Sequence, residues 1–307
     1  MENIYDVIII GSGPAGLSAA VYAARAGLKF VVLEALYFSG GQVLNTSDVD
    51  NYLGFHNING YELGMKFRQH ADALSAEFVN VKAISLNVEG NVKEVICEDN
   101  RVFCAKNIIL ATGAVSAKLN VEGEEEFRGK GVSYCATCDG NFFKKKVTAV
   151  IGGGDTALED AIYLSRICEK VYVIHRRDVF RGAKSLEKKL MQCENVEIIW
   201  DTVVERISGT DSVNGIHIKN VKTEEKSELL LDGVFIAVGT SPVSDLLKEK
   251  VAMDNRGYIL AGENCATNVS GVYVAGDVRK KDFRQIITAA SDGANAINSI
   301  VWSLNGE

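Results

Sequence analysis

Cys135 and Cys138 stand two residues apart, separated by Ala136 and Thr137, and are the cysteines best spaced for chemistry. Thiols at this spacing can be half of a zinc site, a redox dithiol, or an accident. A closed zinc site needs four ligands, and the chain has no second C-x-x-C; its four histidines, His56, His70, His175 and His217, are not spaced as a partner pair. A redox dithiol is favoured, because C-x-x-C thiols readily supply the thiolate that disulfide exchange requires. Asp139 follows Cys138 directly. It is either a proton donor to a departing thiolate or a residue of a helix start. The other five cysteines, Cys97, Cys104, Cys168, Cys193 and Cys265, are scattered through apolar or mixed stretches and read as reduced and passive. Seven cysteines, an odd number, argue against a structural disulfide framework.

Two glycine-rich turns offer phosphate-binding chemistry. In Gly11-Ser12-Gly13-Pro14-Ala15-Gly16, the first glycine permits a tight turn and the second lets the backbone approach a pyrophosphate. The third lets a helix pack on a strand with its N-terminus facing the phosphates. The turn follows the apolar run Asp6 to Ile10, and Glu34 comes 21 residues after Gly13, at the end of the next apolar run. A carboxylate there accepts hydrogen bonds from ribose hydroxyls. The turn recurs 141 positions later (152 minus 11) as Gly152-Gly153-Gly154-Asp155-Thr156-Ala157. Here the position matching Glu34 is His175, followed by Arg176, Arg177 and Arg181. A carboxylate would repel a 2′-phosphate, whereas guanidinium groups bind one bidentately, so NADPH is the expected dinucleotide. The plainer account of this string is a solvated charged loop. Two dinucleotide sites suggest an electron relay: a nicotinamide brings a hydride, and FAD at the first site passes the electrons on.

Each turn needs a strand before it and a helix after it, and the flanks supply both. Asp6 to Ile10, an Ala-rich stretch through Arg25 and Lys29 to Leu33 form one strand, turn, helix, strand unit. Val147 to Ile151, a similar stretch through Arg166 and Lys170 to Ile174 form the other. This alternation predicts parallel sheets of the doubly wound type. Asn107 to Gly113 and Gly233 to Gly239 read as strands that end in glycine and bracket the second unit. The expected fold class is α/β with two Rossmann-like dinucleotide-binding domains. An NADPH domain, 114–239, carries the C-x-x-C and is inserted into a discontinuous FAD domain, 1–113 and 240–307. The prolines are Pro14 and Pro242 alone, and no low-complexity linker is present, so the hinges should be short. Because the NADPH turn and the dithiol share the inserted segment, that segment is expected to turn about Gly113 and Gly239. Gly271 to Val278 places Gly276 and Asp277 at the carboxyl end of a further strand, where ligands bind in such sheets. A structural turn is the alternative there.

At 307 residues, 47% hydrophobic and 24% charged, the chain can bury two domain cores. Its net charge of −7 gives no basic footprint for nucleic acid or an anionic membrane, so neither is an expected partner. The first residues show no cationic leader, and the run Val7 to Ile10 is too short to span a bilayer; cytoplasmic residence is the expectation.

Taken jointly, G-S-G-P-A-G at Gly11, G-G-Q at Gly40 to Gln42, S-Y-C-A-T-C-D-G at Ser133, G-G-G-D-T-A at Gly152, H-R-R-D-V-F-R at His175, and A-G-D-V followed by F-R-Q at Phe283 to Gln285 resemble the low-molecular-weight, bacterial-type thioredoxin reductases over essentially the whole chain. The resemblance implies a homodimer that passes electrons from NADPH through FAD and the dithiol to thioredoxin; the alternatives are a reductase of another dithiol partner or small-molecule disulfide, a ferredoxin- or flavodoxin-NADP reductase-like flavoprotein, whose resembling members lack the C-x-x-C, and a non-enzymatic flavin redox sensor. It implies candidate FAD contacts at Gly11, Gly13, Pro14, Ala15, Gly16, Glu34, Gly41, Gln42, Asn51, Gly113, Gly276, Asp277, Arg284 and Gln285. Candidate NADPH contacts are Gly152, Gly154, Asp155, Thr156, His175, Arg176, Arg177 and Arg181, the last three arginines reading the 2′-phosphate. It further implies that Cys138 faces the flavin, Cys135 attacks thioredoxin and Asp139 is the acid. One departure is Leu53, in a flavin-proximal stretch where the family usually has proline.

Overall fold

A computed structural model describes residues 4–46, 49 and 51–306. The chain forms β1 (Tyr5–Ile10), α1 (Pro14–Arg25), β2 (Phe30–Glu34), α2 (Gly60–Ala73), β3 (Phe78–Asn80), β4 (Ala83–Asn87), β5 (Lys93–Cys97) and β6 (Val102–Leu110). After β7 (Ala114–Ser116) come β8 (Val132–Ser133), α3 (Ala136–Asp139), β9 (Val147–Gly152), α4 (Asp155–Ser165), β10 (Lys170–Ile174), α5 (Lys184–Leu190) and β11 (Val196–Ile199). Then follow β12 (Thr202–Gly209), β13 (Val213–Asn220), β14 (Lys226–Leu230), β15 (Gly233–Ala237), β16 (Thr240–Pro242), β17 (Val272–Val274) and α6 (Ile286–Asn305). Two compact units result, Met1–Val115 with Ser241–Glu307, and Ser116–Thr240. The two crossings, β7 and β16, pair as a two-stranded sheet.

In the first unit β1 is buried along Val7 to Ile10, so it suits the middle of a parallel sheet covered on both faces. It pairs in parallel with β2 on one side and β6 on the other, and β3 extends the β2 edge. Side chains alternate along it: Val7 and Ile9 enter the layer with α1 and α6, while Ile8 and Ile10 join Val31, Leu33, Ile108 and Val274 on the opposite face. The α1 and α6 backbones approach closely because small residues line both. A Cβ on Gly293 would lie 2.1 Å from the Ala15 carbonyl oxygen.

The strand expected over Asn107 to Gly113 begins earlier and ends sooner, at Val102 and Leu110. Its first half is recruited by antiparallel pairing with β5, and its second half by parallel pairing with β17. The run expected to end at Gly239 is strand through Ala237.

The second unit repeats the plan. Its parallel sheet runs β11-β10-β9-β15-β8, and an antiparallel sheet β12-β13-β14 supplies the other layer. Ala149 and Ile151 of β9 pack in the core with Ile207, Ile216 and Ile218, while Val150 packs with Leu158 and Leu164 of α4. Among the described residues no helix is long and apolar enough to cross a membrane.

Candidate functional site

At the end of β1, Gly11 takes φ +103°, and a Cβ there would sit 2.5 Å from the Ala111 carbonyl oxygen of the neighbouring strand end. No other residue type fits that turn. A Cβ on Gly16 would lie 1.9 Å from the Gly11 carbonyl oxygen, so this glycine lets α1 pack down on the turn. The middle glycine differs: a Cβ on Gly13 would meet only Gly41 Cα, at 3.9 Å. Gly13 is therefore where a ligand's pyrophosphate has room to approach. Pro14 opens α1, where its missing N–H costs nothing, and no side chain caps the helix. The first N–H groups of α1 are left for an anion.

Other expected contacts gather at the carboxyl ends of the same strands. The Glu34 carboxylate accepts from Ser12 N (2.7 Å), Ser12 Oγ (2.6 Å) and Leu36 N (2.8 Å), so the end of β2 is tied to the turn. Gly41 lies against Gly13, and Gln42 Nε2 donates to the Ala114 carbonyl. Gly113, at φ +70°, accepts through its carbonyl from Val243 N. Gly276 closes on Ala15, and Asp277 follows it. Arg284 donates to the Asp277 carbonyl at 3.3 Å and stacks on the Tyr258 ring, 4.0 Å from its centre. Asn51 Nδ2 donates to Gln285 Oε1 at 3.0 Å, and Gln285 caps α6 through a reciprocal box with Thr288. The Asp277 Oδ1 atom is buried with no hydrogen-bond partner, and burial pushes this carboxyl up while Lys281 and Arg284 pull it down. An orphaned buried acceptor beside an open glycine turn fits a hydroxyl-rich dinucleotide such as FAD. Leu53 keeps the local turn: Phe55 N bonds to the Tyr52 carbonyl, and Gly54 at φ +98° follows Leu53, which occupies the position where proline is common in type II turns.

The second turn has the same division of labour. A Cβ on Gly152 would strike the Ala237 carbonyl oxygen at 2.2 Å, whereas one on Gly154 would meet nothing within 4 Å. No side chain caps α4, whose first residues are Asp155 and Thr156. Asp155 Oδ1 instead accepts from Ala183 N at 2.6 Å, and Arg181 N donates to the Gly153 carbonyl at 2.7 Å, folding the 176–183 loop back over the turn. Arg176, Arg177 and Arg181 are all exposed, and among the described residues none of them forms an ion pair. Three unpaired guanidiniums beside an open helix start fit a 2′-phosphorylated dinucleotide. His175 is not gathered with them. The residue is 4% exposed; its ring packs behind Gly153 and against Phe180 and Trp200, and its Nε2 lies 3.1 Å from the Val179 carbonyl oxygen. Burial lowers its pKa, with the three arginines adding to the effect.

Cys135 and Cys138 form a disulfide with 5.4 Å between their Cα atoms. Cys135 caps the one-turn helix α3: its Sγ accepts from Cys138 N at 3.2 Å and lies 3.4 Å from Thr137 Oγ1. Cys138 is exposed and Cys135 half-buried. Asp139 ends α3, and Ser133, buried at the end of β8, donates to its Oδ2 at 2.6 Å. The same hydroxyl accepts from Cys135 N at 3.0 Å. Ser133 was within the matched string, but its role has no signal in sequence; neither has that of Ser12. The remaining five cysteines form no disulfide, as expected, and burial raises the Cys265 thiol to about 12.

Two dinucleotide turns and an exposed C-x-x-C disulfide define a dinucleotide-dependent dithiol oxidoreductase. The comparisons agree: the chain belongs to the pyridine nucleotide-disulphide oxidoreductase family, which matches residues 5–293. It is 42% identical over 303 residues to a thioredoxin reductase of Peptoclostridium acidaminophilum, covering 96% of each chain. It is 41% identical over 302 residues to that of Bacillus subtilis, covering 97% of this chain and 94% of the other. Among solved structures, thioredoxin reductase of Lactococcus lactis superposes with a TM-score of 0.95 at 42% identity, covering 99% of this chain and all of that one.

Proposed function

We propose that the protein is an NADPH-dependent, FAD-containing thioredoxin-disulfide reductase, with Cys135 and Cys138 as its redox pair. The observation that carries this is the C-x-x-C disulfide in the same unit as an open glycine turn and three unpaired arginines. FAD supplies a two-electron carrier and NADPH the hydride that charges it. We assign FAD to the Gly11 turn, Glu34 and the Asp277 end, and NADPH to the Gly154 turn with Arg176, Arg177 and Arg181. The first unit is accordingly the FAD domain and the second the NADPH domain.

The chain's own residues then account for the thiol chemistry. In the disulfide the Cys138 N–H and the Thr137 hydroxyl stand beside the Cys135 sulfur, and the same two groups would stabilise its thiolate once the pair is reduced. That thiolate attacks one sulfur of a thioredoxin disulfide, forming a mixed disulfide and releasing the other sulfur as a thiolate, which takes up a proton. Cys138 then attacks Cys135 Sγ, re-forms the internal disulfide and releases the second thioredoxin sulfur. Two electrons from NADPH restore the dithiol. Asp139 is held beside the pair by Ser133 and is placed to exchange a proton with a thiol as it leaves or forms. The resemblance to bacterial-type thioredoxin reductases supports a cytoplasmic homodimer as part of the same proposal, and the net charge of −7 gives no basic footprint for a nucleic-acid or membrane partner.

The test is NADPH oxidation by the flavin-loaded protein against a panel of thioredoxin-like proteins from the same organism. Turnover dependent on a thioredoxin disulfide is expected, and its absence with every member would overturn the assignment.

A further inference from the structure

Four charged side chains, Asp277, Arg279, Lys281 and Asp292, converge where β17 gives way to α6. Asp292 lies within α6 with its side chain 5% exposed. Arg279 Nη2 reaches its Oδ1 at 2.7 Å, Lys281 Nζ reaches its Oδ2 at 2.9 Å, and Gly276 N donates to the same Oδ2 at 2.9 Å. Arg279 also donates to the Ala261 and Gly262 carbonyls. Asp292 is thus neutralised by Arg279 alone, and a second buried cation is more than it needs. Removing an ammonium from water is costly unless it serves a nearby charge. The Lys281 side chain is only 8% exposed, and its ammonium lies 3.4 Å from Thr288 Oγ1 and 4.0 Å from Asp277 Oδ1. That oxygen is the one buried carboxylate oxygen among the described residues without a hydrogen-bond partner.

We propose that Lys281 is a positioning residue for FAD: anchored by Asp292 and Thr288, its ammonium neutralises the Asp277 carboxylate and leaves Oδ1 free to accept a hydroxyl of the bound cofactor. The inference rests on the assignment of FAD to this unit. The charges facing Asp277 are Lys281 and Arg284, which favour its ionised form, and Asp292, which disfavours it along with burial. With Lys281 replaced, Arg284 alone opposes burial and the repulsion from Asp292. Asp277 then takes up a proton as the pH falls, and an acceptor for the ligand is lost.

The test is titration of the full-length, deflavinated protein with FAD, followed by quenching of cofactor fluorescence. Lys281→Met should weaken FAD binding by about 10- to 100-fold, the scale of a lost charge-assisted contact. The loss should deepen as the pH is lowered, more steeply than any change in wild type, because burial already raises the Asp277 carboxyl and Lys281 opposes that. Lys281→Arg, which restores the charge, should bind within about threefold of wild type. A merely structural lysine would lower the melting temperature of the cofactor-free protein without producing the pH dependence. Should the methionine variant not fold, Lys281→Gln removes the charge and keeps hydrogen bonding, and the same pH-dependent loss is expected of it. Wild-type affinity and a flat profile in the charge-removed variant would overturn the inference alone. A wild-type protein that takes up no FAD would defeat the assignment beneath it, and the inference with it.

Discussion

Replacing Arg176 or Arg177 with alanine should raise the KM for NADPH and leave NADH almost untouched. Each guanidinium contact to a phosphate contributes about 1.5–3 kcal/mol, equivalent to roughly 10- to 100-fold in affinity. Both side chains are exposed, and a surface charge is screened by salt over a Debye length of about 8 Å at physiological ionic strength. The lower end of the range applies, about tenfold for each single substitution. The two residues are adjacent and address one phosphate, so the double variant should lose less than the product of the single losses. Neither guanidinium forms an ion pair among the described residues. Stability should therefore change by no more than about 0.5 kcal/mol, as for other exposed substitutions. The assay is steady-state NADPH and NADH oxidation at low and high salt, with thermal melting alongside. The NADPH preference should fall and lose part of its salt dependence. Equal losses for both nucleotides, or a large drop in melting temperature, would refute the phosphate-reading role.

Cys135→Ser and Cys138→Ser should each abolish NADPH-dependent reduction of thioredoxin, because each removes one sulfur of the exchange; residual turnover in either would remove that thiol from the mechanism. Ser133→Ala strips both the donor to Asp139 and the acceptor of the Cys135 N–H, and should cost about 1–3 kcal/mol of stability along with a loss of kcat. Unchanged kcat would show that Asp139 needs no such support. Gly16→Ala would place a methyl group 1.9 Å from a carbonyl oxygen and should abolish FAD retention, whereas Gly154→Ala meets no protein atom and should weaken NADPH while leaving melting behaviour unchanged. The His175 pKa is depressed in the folded protein, so its contribution to stability is complete above its unfolded value of about 6.5 and is lost as the pH falls through the lower folded value. Melting temperatures from pH 7 down to pH 5 should fall less steeply in His175→Phe than in wild type, and parallel curves would remove His175 from the acid response.

The features legible in the amino-acid sequence are those set over short spans. The buried run Val7 to Ile10, the glycine turn that follows it and the Ala-rich helix to Arg25 form one local unit, and its recurrence from Val147 marks the second. In each turn the order of crowded and open glycines matches the spacing, because the requirement at each position is backbone geometry within a few residues. The C-x-x-C was legible for the same reason: a disulfide closed across three residues depends on little beyond their own turn.

The tertiary structure decided what depends on residues distant in sequence. Strand β6 begins at Val102 because β5 pairs with its first half, and a register between strands leaves no trace in either one alone. His175 occupies the position that matches Glu34, yet it turns inward behind Gly153; of the aromatic rings that receive it, Phe180 lies in the following loop, but Trp200 directly follows the distant β11. Asp277 stands out in sequence at the end of its strand, but Arg279, Lys281 and Asp292 read there as ordinary surface charge, and they meet only because the segment after β17 folds against α6. Spacing along the chain determines which backbone turns can form, whereas the burial and pairing of a charge are set by what the rest of the fold packs around it.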